Sequence, residues 1–463
     1  MTGRPARRRN VALAYWVDVA DVTYEELGEE VTKTARAHGF HDIEPDRSRV
    51  GKWIKYSEQP RRPLPALIAE TLTRLCHRPR PLTPADLGLH SPPGTGPTGS
   101  WKAEAVVAAI IDTARSDAVT DETGPSTARM LTGSELISAV QPWLHLPDEP
   151  LPSPIRPGRL GMNDVQNIMA TTDAFRGLDS AHGGGLSRRA VVGQLHDVTL
   201  LATHGRTSDN VGRALFVAIA DLASVAGWMN HDVGRHSEAQ HYFLLGLQAA
   251  KQAGRDGAGI AGHLLNCLSR QANHLGRAED ALDLVQAAQY GTRKHPPGQL
   301  RAFLSTLEAR CHAVLGHLPE AERALGTADD ALTADHGEPV PSWAAWFDEA
   351  EYHVTAGVCE SIAATHDPRR AVRAIELITT GTAQRPAERV RSRAFDHIAL
   401  ARAQVQADQL EAADHTTATA LDLLGRVTST RVTDRLRELD TELAASSATA
   451  TAETRDRIRT ALT

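Results

Sequence analysis

Between Asp46 and Glu58 the chain carries Arg47, Ser48, Arg49, Lys52 and Lys55 and no acidic residue. Cations and a hydroxyl at these spacings are groups for binding an anionic surface. At 100° per residue from Arg47, the side chains of Ser48, Arg49, Lys52 and Lys55 fall between about 80° and 200°. Val50, Trp53 and Ile54 fall between about 240° and 340°, on the opposite side. Asp46 is a suitable N-cap for this helix, its carboxylate accepting from the free amides of the first turn. One face can then dock on a small core while the other enters the major groove of double-stranded DNA. Arg61 and Arg62, just beyond, and the arm Arg7, Arg8 and Arg9 are candidates for phosphate contact. A solvated surface helix and a frayed terminus are the competing accounts, so the surrounding chain has to decide.

The other chemistry-bearing residue types of the 463-residue chain are scattered. Of 21 histidines, His231, His236 and His241 lie five apart, a spacing that does not stack on one helical face, and no HExxH spacing occurs. Surface histidines and no metal site are the expectation. Cys76, Cys267, Cys311 and Cys359 lie far apart with no CxxC pair, against a zinc module or a disulfide scaffold. No GxSxG elbow, Cys/His pair or strand-borne GxGxxG occurs, and the stretch 94–100 lacks the lysine of a phosphate loop. The expectation is a protein that is not an enzyme and needs no cofactor.

The elements that would hold the basic face are helical. Leu13, Trp16 and Val17 mark a first helix, and Thr23 to Glu26 is a capping box opening a second that ends near Gly39. Leu67, Ile68, Leu72 and Leu75 mark a fourth, after the basic one. Residues 1–90 hold 15 Lys and Arg against 12 Asp and Glu, and the remainder 35 against 45, so only the amino-terminal segment is basic. No apolar run approaches a membrane span, and a cytoplasmic protein without a membrane partner is expected, nucleoid-associated when on DNA.

Residues 50–89 resemble the Xre-type, lambda-repressor-like helix-turn-helix of actinomycete transcriptional regulators. The resemblance rests on Trp53, the Pro60–Pro65 segment, Ile68 to Glu70 and Leu82 to Gly88. It implies that the helix at 46–56 reads DNA, and loosely implies a link to development or secondary metabolism; because a single module is usually too weak, a homodimer is expected. A glycine break near 183–185 resembles one in the same regulators.

Farther on, a five-residue step from a turn residue to alanine recurs at Gly234–Ala239, Gly276–Ala281 and Gly316–Ala321, and more weakly at His366–Ala371 and Ala407–Ala412. Glycine permits the turn and alanine the close approach of two helices. The pattern resembles the tetratricopeptide repeat. The fold expected is all-α, an N-terminal helix-turn-helix domain linked to a C-terminal α-solenoid. Its divisions are 1–90, a linker with a small helical insert at 91–160, a repeat domain for sensing and dimerisation at 161–445, and a fraying tail at 446–463. In the repeat resemblance the first helices turn Trp228, His231, His263, Asn266, Arg270, Asn273 and Arg310 toward the groove. Amides flanking an arginine could hold a peptide or acidic small-molecule effector. The function expected is a DNA-binding transcriptional regulator with a helical sensor. The alternative is a protein-interaction adaptor without sequence-specific DNA binding.

Overall fold

A computed structural model describes residues 10–56, 58–61, 63–76, 82, 84, 87–89, 99–119, 130–145, 160–185, 187–204, 208–294, 298–334, 340–425, 427, 429–445 and 451–462. The fold is all-α: among the described residues there are 20 α-helices and no strand. The chain forms two compact units, residues 1–129 with 192–200, and residues 130–191 with 201–463.

The first unit holds α1 (Val11–Val19), α2 (Tyr24–Ala37), α3 (Arg47–Lys55), α4 (Leu64–Leu75) and α5 (Ala103–Val119). Each early start has a local cause. The Asn10 side chain accepts from the Leu13 amide at 3.0 Å and donates to the Leu87 carbonyl at 3.0 Å, so one residue caps α1 and ties it to the end of the core. The Thr23 hydroxyl accepts from the Glu26 amide at 3.2 Å while the Glu26 carboxylate accepts from the Thr23 amide at 2.7 Å. Leu13, Leu27, Val31, Trp53, Leu67 and Leu72 meet in one core that runs from Leu13 to Leu89.

In the second unit α6 (Gly133–His145) precedes α7 (Met162–His182), and α8 (Arg188–His204) is divided between the two units. Five helix pairs follow: α9 (Asp209–Asp232) with α10 (His236–Gln252), α11 (Ala258–His274) with α12 (Ala278–Thr292), α13 (Gly298–Val314) with α14 (Leu318–Thr333), α15 (Glu349–Ala364) with α16 (Arg370–Gln384), and α17 (Val390–Gln406) with α18 (Leu410–Leu424). Successive pairs pack on one another, α9 on α11, α11 on α13, α13 on α15 and α15 on α17. Finally α19 (Thr430–Ala445) packs on α17, and α20 (Thr451–Ala461) on α18 and α19. α9 is apolar enough over its length to cross a membrane, but 78% of that window is buried inside the protein.

Several expectations need correction. The stretch 91–160 is not one insert: α5 belongs to the first unit and α6 to the second. α5 buries Val106 and Ile110, whereas α6 packs Leu136 and Val140 toward α10 and α12. Residues 192–200, expected in the repeat domain, belong to the first unit. The tail does not fray over its described part, since α20 buries Ile458 fully and pairs Arg455 with Asp440 at 2.9 Å. The fifth turn is displaced by one residue from the expected register. Gly234, Gly276 and Gly316 take φ of 82°, 73° and 79°, and in the fifth turn Asp408 does so at 57°. Five residues on from each lie Ala239, Ala281, Ala321 and Ala413, all buried, while Ala412 is only half-buried.

Candidate functional site

On α3, Arg47, Ser48, Arg49, Lys52 and Lys55 are all exposed, and Val50, Trp53 and Ile54 are buried, Trp53 to 1%. The Asp46 carboxylate accepts from the Arg49 amide at 2.7 Å and starts the helix there. Two contacts set its position. The Asn10 amide donates to the Ile54 carbonyl at 2.8 Å. Gly28 on α2 admits the carbonyl of Pro45, which would lie 2.3 Å from a Cβ at that position. The role of Gly28 is invisible in sequence, because it depends on a neighbour 17 positions away. None of the four α3 cations has a carboxylate within 4.0 Å among the described residues. Arg49 and exposed Arg61 also line a hollow of about 360 Å³ with Arg115 of α5, a residue not singled out from sequence. Arg7, Arg8, Arg9 and Arg62 lie outside the described residues.

The second unit holds a half-open cavity of about 590 Å³ lined from α7, α9, α11, α13, α15, α17 and α19. Trp228, His231, Asn266, Arg270, Asn273 and Arg310, taken from the repeat pattern as groove residues, all line it, as does His263. The sequence reading missed Arg391, Phe395, Arg431 and Arg435, which come from α17 and α19. They face the cavity because α19 returns to the first helix pair. Asp232, at the end of α9, is fully buried and ties that return. It accepts from Arg391 at 3.2 Å, from Arg431 at 2.8 and 2.9 Å, from the Ser429 hydroxyl at 2.9 Å and from the Gly184 amide at 3.2 Å. Burial alone would raise its pKa, but Arg391 and Arg431 outweigh it and hold the carboxyl at about 2.

The cavity is rich in arginine, and nearly all of it is neutralised. Arg391 and Arg431 share Asp232, and Arg402 and Arg435 share Glu438 at 3.1 and 2.6 Å. Arg176 has Asp221 at 2.7 Å, Arg389 has Asp348 at 3.0 Å and Arg270 has Glu351 at 3.5 Å. Arg310 is the exception: no described carboxylate lies within 4.0 Å of it. Burial, with Arg435 and Arg270 acting on it, pushes its pKa down to about 10. Orphaned polar atoms accompany it. Asn266, 1% exposed, has neither amide atom bonded within the protein, and His263 Nδ1, Asn273 Oδ1 and Trp346 Nε1 are likewise unmatched. Each buried orphan costs about 1–3 kcal/mol unless something else satisfies it.

Aromatic rings form the apolar side. Phe303, Trp346 and Phe347 lie 5.4 to 5.9 Å apart by ring centroid. The Arg270 guanidinium sits 4.7 Å above Trp346 and 5.8 Å from Trp228, and Arg431 lies 5.1 Å from Trp228. Trp228 also donates from Nε1 to Cys267 Sγ at 3.1 Å. Burial pushes the Cys267 thiol up to about 12 and Cys311 to about 11, which keeps both protonated, and Cys267 Sγ lies 3.5 Å from His263 Nε2, a Cys/His contact not expected from sequence.

The histidine expectation is overturned. His231 is 1% exposed and His241 is buried too. The turn between α9 and α10 brings His231 Nδ1 within 2.9 Å of His236 Nδ1, with the His274 ring 5.2 Å from His231. Helical periodicity does not apply across that turn, which is why the five-residue spacing misled. Among the described residues no set of three His, Cys, Asp or Glu side chains could hold a metal ion.

Residues 13–90 match the family described as the SP15 N-terminal domain, a span that coincides with the core from Leu13 to Leu89. No curated protein matches the chain, and no solved structure does.

Proposed function

We propose that the chain is a DNA-binding transcriptional regulator whose helix-pair unit binds an effector and mediates homodimerisation in the cytoplasm. The observation that carries this is the exposed, acid-free cationic face of α3 opposite a face buried on its own core. An ordinary surface helix also buries one face, but its solvated face need not be free of acids, whereas a face seated in a major groove is. On this reading Ser48, Arg49 and Lys52 reach base edges, and Arg47, Lys55 and Arg61 contact phosphates with Arg62 and the arm. Two copies on half-sites about 34 Å apart would supply the affinity one module lacks. An effector in the cavity changes DNA affinity to the extent that it prefers one DNA-binding state, and DNA changes effector affinity by the same factor.

Gel retardation against the DNA upstream of the protein's own gene, with random duplex as competitor, tests it. Arg49→Ala with Lys52→Ala should abolish the selective shift, and Arg61→Ala should weaken binding to all duplexes and lower the salt slope by about 1. Equal retardation of specific and random duplexes at near-physiological salt would sink the reading. That result would favour the adaptor, for which one observation speaks: α2 and α3 are joined by residues 38–46, against a turn of about three or four residues in compact helix-turn-helix units.

A further inference from the structure

We infer that the cavity of the second unit is built for a small organic anion, its anionic head on Arg310 and its flat apolar body against Phe303, Trp346 and Phe347. The inference gives the effector of the regulator reading a chemical class, and rests on that reading only for the word effector. Three independent features point the same way. Arg310 is the one lining arginine without a described carboxylate, and the cations near it, Arg270 and Arg435, add to the positive potential there. A negatively charged group beside Arg310 would give it the direct ion pair that Glu351, acting on it from beyond 4.0 Å and paired with Arg270 and Arg385, does not. The unmatched amide atoms of Asn266, with Asn273 Oδ1 and Trp346 Nε1, supply donors and acceptors for the polar edge of such a molecule. The volume of about 590 Å³ lies within the roughly 300–1,000 Å³ of pockets that hold compact ligands.

The size of the ligand follows from how the cavity is walled. Arg431 and Arg435 of α19 line it, Asp232 ties α19 to α9, and Asp434 of α19 lies 3.6 Å from His274 at the end of α11. A groove for a long extended peptide needs open ends, and here the helix after the last pair forms a wall. A carboxylate, a phosphate and a sulfonate share the chemistry that Arg310 recognises. The flat hydrophobic part distinguishes the ligand from a free inorganic anion.

Anilinonaphthalenesulfonate, an aromatic sulfonate that fluoresces on leaving water, is the probe, and uncharged phenylnaphthylamine is its control. With the full chain we expect one saturable sulfonate site. Arg310→Met should weaken it by about tenfold or more, the effect of losing one charged hydrogen-bonded contact, and leave phenylnaphthylamine within twofold. Arg310→Lys should fall between. Circular dichroism checks that each variant is folded, and if Arg310→Met is not, Arg310→Gln is read by the same criterion. Indoleacetate and phenyl phosphate as competitors separate a carboxylate head from a phosphate head. The inference is overturned if the Arg310 substitution leaves sulfonate affinity within twofold, if the uncharged probe loses as much, or if only an extended acidic peptide competes. None of these titrations contains DNA. Failure here with a selective gel shift intact removes the anion site alone, and the converse removes the regulator alone.

Discussion

Asp232→Ala removes a single carboxylate on which four donors converge, and the structure says which of them is stranded. Arg391 keeps Asp179, at 2.8 and 3.0 Å, so its charge remains paired. Among the described residues Arg431 keeps the faces of Trp228 and Phe395, 5.1 and 5.3 Å away, and such contacts are worth about 0.5–2 kcal/mol. Removing one partner of a buried ion pair costs about 3–5 kcal/mol, most of it from the charge left behind. With one of two arginines still compensated, we expect about 3 kcal/mol. The loss should concentrate on α19, since the Ser429 hydroxyl and Arg431 hold that helix start to the Asp232 carboxylate, while the Thr430 hydroxyl bonds the main-chain carbonyl and is retained. Hydrogen exchange should then show amides of residues 430–445 opening roughly a hundredfold more often, with the α13 and α14 amides little changed. Asp232→Ala combined with Arg431→Met should recover at least about 1 kcal/mol in urea unfolding, because no unpaired charge remains. The reasoning fails if the single variant loses less than about 1 kcal/mol, or if the double variant is the less stable of the two.

Two further outcomes follow from the same contacts. Gly28→Ala places a methyl 2.3 Å from the Pro45 carbonyl, and backbone must move to relieve it; the first unit should lose about 1–3 kcal/mol and DNA affinity should fall with it, both unchanged if α3 is free to shift. Acid should destabilise the second unit through histidine. Burial depresses His231 and His236, and holds His263 at about 3 and His274 at about 4, whereas the unfolded chain titrates near 6.5. The unfolded state therefore binds more protons below pH 6.5, and stability present above that pH is lost as pH falls, at up to about 1.4 kcal/mol per unit for each histidine. Asp232, at about 2, stays ionised through this window, so the ion pairs of α19 do not cause the loss. A melting temperature that is flat from pH 6.5 to 5 contradicts this assignment.

What was legible in the sequence was local or periodic. The Asp46 and Thr23 caps, the apolar side of α3 and the turn-to-alanine step all depend on neighbours within a few residues, and all are present in the structure. Periodicity also gathered Trp228, His231, Asn266, Arg270, Asn273 and Arg310 on one cavity, because equivalent positions of stacked pairs face the same way. The missed features depend on single contacts between distant residues. Asp232 meets Arg431 across 199 positions, Gly28 makes room for a carbonyl, and Arg115 reaches the hollow beside α3 from another helix. The displaced fifth turn has a different cause. Asp408 takes the left-handed conformation that glycine takes elsewhere, and aspartate, which tolerates it better than most residues, gave no glycine to count from.

An open stack of helix pairs can gain or lose a pair at little cost, since each contacts only its neighbours. This one cannot. Its helix α19, which follows the last pair, is fastened to the first pair through Asp232, and inserting or deleting one pair would carry Arg431 away from the acid that pairs with it among the described residues. The fastening therefore couples the number of pairs in the unit to the pairing of its buried charges.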